Sequence, residues 1–144
     1  MIKEILLASV GATGFAIIFG LPKNKLYVIA MFSGVAWWMY LLLTTVLNSD
    51  GMAMFSVTII IVLLAKMIGK KMKCPAFVIA TPILIPFIPG ATLYLVMNDF
   101  VGKEVTFMMN LERIWKQVGA IVAGNLVAEM LFRENSNLKK VAKK

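Results

Sequence analysis

Histidine is absent and cysteine occurs once, at Cys74, so the chain has no material for a disulfide framework or a metal site built on Cys or His ligands. The missing histidine also removes the Ser–His pair of most nucleophilic hydrolases. Charge is scarce: 15% of the 144 residues are charged, and 7 of those are acidic. An aspartyl dyad needs two acids held together, but Asp50 and Asp99 fall in loops and Glu129 stands alone in an apolar run. The inventory points away from an enzyme and implies no cofactor.

The chain is instead 60% hydrophobic, with a mean hydropathy of +0.87. A soluble domain this short would leave large apolar patches in water, whereas a bilayer accepts them as the outer faces of helices. An all-α integral membrane protein is therefore expected. The formal charge of +8 reads first as a topology signal, so no nucleic-acid partner is expected. Met1 to Leu21 invites comparison with a signal peptide, but no convincing cleavage site precedes a soluble domain, because more apolar spans follow.

About 20 apolar residues cross the hydrocarbon core, and the sequence divides into five segments of that size. They are residues 5–21, 26–47, 52–68, 74–98 and 113–132, within one helical domain over 1–134. Pro22-Lys23-Asn24-Lys25 breaks the first from the second, and Asn48-Ser49-Asp50-Gly51 makes the next turn. Lys66 is expected to snorkel to the interface beside Lys70-Lys71-Met72-Lys73. Five crossings put eleven Lys and Arg residues on one side and four on the other. A re-entrant fourth segment would give nine against six, so five crossings with the N-terminus outside and the C-terminus cytoplasmic agree better with the retention of positive charge inside. The basic tail 135–144, with four lysines and no acid, is expected to rest on anionic lipids.

The fourth segment reads CPAFVIATPILIPFIPGATLYLVMN and carries Pro82, Pro86 and Pro89 at intervals of four and three residues, followed at once by Gly90. Each proline lacks an amide hydrogen and clashes with the carbonyl four residues back, which loosens Val78, Pro82 and Ile85 on one helical face. Such groups cannot face hydrocarbon and must be buried in protein or line a wet cavity. A span discontinuous from about Ile85 to Gly90 would start a half-helix near the midplane. Its free amides suit a carboxylate, the loosened carbonyls suit an ammonium, and the two together suit an amino-acid zwitterion. A plain proline kink that only shapes the bundle is the competing reading. Tyr94, one turn past Gly90, either reaches the break or simply packs.

Asn125 and Glu129 share a face of the last span, where a polar pair near the cytoplasmic end could bind substrate and exchange a proton. Alternatively, Arg133 pairs with Glu129 one turn on. Small residues recur every four positions at Ala12, Ala16 and Gly20, and at Ala120, Gly124 and Ala128, which permits close helix packing. Trp37 and Trp38 lie mid-span rather than in the interfacial belt, so one is a candidate for a cavity or a neighbouring subunit, with ordinary lipid exposure expected for at least one.

Three stretches, GFAIIFGLP at 14–22, CPAFVIATPILIPFIPGATLY at 74–94 and GAIVAGNLVAEML at 119–131, resemble the small-subunit branch of the threonine/serine exporter family. The middle one is the most specific. The resemblance implies a half-transporter in a prokaryotic plasma membrane that exports threonine, serine or a related small amino or dicarboxylic acid. It also implies coupling to protons and a larger partner subunit with a soluble domain. Carried over by position, it implies binding residues at Pro82, Pro86, Pro89, Gly90 and Tyr94 and an acidic position at Glu129. Lys116, Gln117 and Asn98-Asp99 depart from it, being more polar than the resemblance leads one to expect. The rival is an accessory membrane subunit that stabilises another complex without transporting.

Overall fold

The computed structural model describes residues 1–100 and 104–141, with side chains at 1–100 and 106–133. The described elements are helical: α1 (Ile2–Ile18), α2 (Leu26–Leu47), α3 (Asp50–Met72), α4 (Ala76–Leu84), α5 (Gly90–Asp99) and α6 (Glu104–Val141). Only helices satisfy every backbone group within a single segment, which is what lipid demands of an open structure. Among the described residues, α2 with its preceding turn and α3 are long and apolar enough to cross a bilayer. A third crossing is added if α4 and α5, which meet at a 45° bend, count as one broken span.

Local signals set the ends. Gly20, at a φ of 74°, stops α1, and Pro22 keeps the chain from resuming the helix there. Asn48 closes α2 in the left-handed conformation, and Ser49 caps α3 by accepting from the Met52 amide at 3.4 Å. Lys73, also left-handed, ends α3, and the Cys74 amide turns back to the Gly69 carbonyl at 3.0 Å.

The core is built where α1, α2, α3 and α4 converge, around Ile29, Val57, Ile61, Ile79, Ile83 and Phe87. Ala8, Ala12 and Ala16 form the buried stripe of α1, short enough to bring α2 close, and Ser33 Oγ donates to the Ala8 carbonyl at 3.1 Å. Many large apolar side chains remain outside, among them Ile18, Tyr27, Val46, Met97 and Met130. Packing enthalpy and small interfacial residues, rather than water exclusion, hold such a bundle together in lipid.

Helix α6 lies alongside α3 and runs in the same direction. Asp50 at the start of α3 pairs with Arg113, while Lys66 near its end pairs with Glu129. Between these ties Gly124 sits against α3 so closely that an added Cβ would stand 2.8 Å from the Phe55 carbonyl oxygen and 3.0 Å from Thr58 Cβ. The obstruction is backbone and cannot swing aside. Gly124→Ala is therefore expected to push α6 off α3 and cost about 1–3 kcal/mol, read as a lowered thermal midpoint of the purified chain in detergent.

Candidate functional site

The proline motif interrupts the helix where its chemistry requires. Helix α4 ends at Leu84, Ile85–Phe87 form a tight 3-10 turn, Ile88 is extended, and α5 begins at Gly90 behind Pro89. Two of the freed groups are satisfied within the break: the Ile88 amide donates to the Ile85 carbonyl at 3.0 Å, and the Gly90 amide to the Ile88 carbonyl at 2.7 Å. Ile85 is thus not the free acceptor expected from the Pro89 ring. Val78 and Pro82 have prolines in place of the amides four residues on. The first intrahelical bond of α5 runs from the Leu93 amide to the Pro89 carbonyl, so the amides of Ala91 and Thr92 precede the helical ladder.

Phe87 holds the break in place. Its side chain is buried, with its ring centroid 5.2 Å from Trp37 and 5.7 Å from Tyr40, both on α2. Trp37 therefore faces this junction, whereas Trp38 is about half exposed. The motif residues divide by depth. Pro82 is buried in the core, Pro86 and Pro89 are partly buried, and Gly90 and Tyr94 are exposed. A Cβ added at Gly90 would meet nothing within 4 Å, so nothing in this chain's own packing demands glycine there. Gly90 and Tyr94, one turn apart, look outward from the bundle.

Helix α5 is fastened to α6 by polar pairs. Thr92 Oγ1 donates to Gln117 Oε1 at 3.3 Å, with both side chains buried. One end of the seam is closed by Asn110 Nδ2 donating to Asp99 Oδ2 at 2.9 Å. The polar residues that depart from the family resemblance, Gln117 and Asp99, thus join the half-helix to its neighbour. Their signal was present in the sequence: Thr92 and Asp99 lie seven residues apart, as do Asn110 and Gln117, and two turns of helix return each pair to one face.

Glu129 takes a partner other than Arg133. Lys66 Nζ approaches Glu129 Oε2 at 2.6 Å, the lysine side chain 10% exposed and the carboxylate 59%. The same ammonium stands 4.6 Å from the centre of the Phe132 ring. Lys66 does not reach for the interface alone, because a carboxylate and an aromatic face on α6 meet it within the helix pair. Asn125 is exposed one turn before Glu129. The α6 side chains tied to α5 are Gln117 and Asn110, further toward the start of the helix, so Asn125 and Glu129 are not drawn into the break.

The two ends of the bundle differ in charge. At the Asp50 end, Arg113 is neutralised by Asp50 at 2.7 Å and Lys116 by Glu112 at 2.6 Å. The Lys116 ammonium bonded to Glu112 holds that carboxyl below its usual range. At the other end, Lys25 donates to the Met72 carbonyl at 2.8 Å beside Lys70, Lys71 and Lys73. Lys139, Lys140, Lys143 and Lys144 of the basic tail have side chains outside the described residues.

A family model described as Threonine/Serine exporter, ThrE matches residues 4–131. No curated protein and no solved structure matches the chain. The match spans all three resembling stretches, the broken helix and the Lys66–Glu129 pair, in a bundle made for a membrane rather than for water. By that match the chain belongs to the threonine/serine exporter family, a family of transporters.

Proposed function

We propose that the chain is one half of a proton-coupled exporter of threonine, serine or a related small amino or dicarboxylic acid, completed by a larger partner subunit. The observation that carries this reading is the 45° break at Pro89-Gly90, which starts a half-helix inside an apolar segment. Gly90 begins fourteen residues after Ala76, the first residue of α4, and at 1.5 Å per helical residue this is about two-thirds of a 30 Å core. There the Ala91 and Thr92 amides suit a carboxylate, while the Val78 and Pro82 carbonyls, twelve and eight residues before Gly90, lie further back along α4.

Five crossings follow if α4 and α5 traverse the bilayer together. The parallel run of α6 along α3 supports this, since a re-entrant loop would return the chain to its starting side and leave α6 antiparallel to α3. Neutralised cations at the Asp50 end and excess lysine at the other support a C-terminus in the cytoplasm of a prokaryotic plasma membrane. The outward aspect of Gly90 and Tyr94 supports a site shared with the partner: Pro82, Pro86 and Pro89 shape the break from this side, and the larger subunit closes it. Asn125 offers a second polar contact, and Glu129 carries the coupling proton.

Cells producing the chain together with its larger subunit are expected to release threonine or serine faster than cells producing either alone. Equal release by the larger subunit alone would make this chain an accessory component.

A further inference from the structure

We propose that the recess between the end of α3, the start of α4 and α6 binds the phosphate of an anionic phospholipid headgroup. The recess measures about 370 Å³ and is lined by Lys66, Lys70, Lys73, Pro75, Ala76 and Phe132. Three lysines contribute to that lining. Lys70 Nζ stands 4.5 Å from the centre of the Phe132 ring, which steadies its position beside Lys66 without discharging it. Among the described residues the carboxylate bound to these lysines is Glu129, on Lys66. By sequence, the end of α3 and the stretch of α6 beside it carry Lys66, Lys70, Lys71, Lys73 and Arg133 against Glu129 and Glu134, so positive charge is in excess.

That excess favours an anion over a zwitterion, and the apolar surface beside the recess favours a lipid over a soluble dicarboxylic acid. A zwitterionic amino acid has no net charge to offer it, whereas a phosphodiester brings one negative charge and acceptor oxygens. The neighbours along the chain extend the match. Met67, Phe77 and Met130 are each more than 60% exposed and apolar, a surface for acyl chains beside a pocket for a headgroup. A basic pocket between helices on the side that retains positive charge is where anionic headgroups are attracted. The assignment does not depend on the exporter reading, because it concerns a different ligand class, although the recess shares Lys66 with the Glu129 pair.

Native mass spectrometry of the purified chain tests it with phosphatidylglycerol, phosphatidylcholine of the same acyl chains, and inorganic phosphate. Phosphatidylglycerol is expected to remain bound where phosphatidylcholine leaves, and Lys70→Gln with Lys73→Gln is expected to weaken it about 30-fold. Both lysines are exposed, so folding is retained, and a rise in thermal midpoint with phosphatidylglycerol should disappear in that variant. Replacing Lys139, Lys140, Lys143 and Lys144 by glutamine should leave binding in place. Loss in the tail variant but not in the recess variant overturns the proposal. So does equal retention of both lipids, and occupation by inorganic phosphate that phosphatidylglycerol cannot displace would assign the recess to a soluble anion instead.

Discussion

Gly90→Leu is expected to abolish threonine and serine release while the chain folds and joins its partner. The chain itself has room for the new side chain: an added Cβ meets nothing within 4 Å, and the backbone there is not left-handed. Leucine at the first position of α5 is also a better helix former than glycine, by something under about 1 kcal/mol on the interior scale. A loss of transport with normal stability then arises outside this chain, where the isobutyl group covers the Ala91 and Thr92 amides or fills the space between subunits. Whole-cell release measured beside co-purification of the larger subunit separates the outcomes. Normal release by an assembled Gly90→Leu complex would withdraw the break as the binding site.

Glu129→Gln is expected to flatten the pH dependence of export. The amide keeps a hydrogen-bond acceptor for Lys66 but cannot take or release the proton. The complication is physical: the ammonium left behind is only 10% exposed, and stranding a charge in the membrane carries its own penalty. Lys66→Met in the same chain resolves it. If the single variant fails because of a stranded lysine, the double variant regains export together with its pH response. If Glu129 is the proton carrier, the double variant assembles well and stays insensitive to pH. A Glu129→Gln exporter with an unaltered pH profile would remove Glu129 from the coupling path.

The break and the α6 pair were legible in the sequence to different degrees. Prolines act through their own ring and missing amide, so Pro82, Pro86 and Pro89 announce an interruption whatever surrounds them. The fate of the freed carbonyls was not legible, because Ile85 is satisfied by Ile88 only once the chain has turned into a 3-10 bend. Glu129 was recognisable as an intramembrane acid, yet spacing along one helix nominated Arg133, and its actual partner is sixty-three residues away on α3. Gln117 and Asp99 looked like intrusions into an apolar pattern until Thr92 and Asn110 came to meet them.

Local chemistry alone therefore determined the membrane class, the breaks at residues 22–25 and around Asn48-Ser49, and the interruption before Gly90. These depend on side-chain hydration, backbone dihedrals and amide donors that each residue carries with it. Tertiary structure alone decided which carboxylate meets which ammonium, that α6 follows α3 in the same direction, and that Gly90 and Tyr94 turn away from the bundle. The reason is that pairing and facing depend on how helices lie against one another, and the rotation of a nearly uniformly apolar helix about its axis is settled by packing against its neighbours.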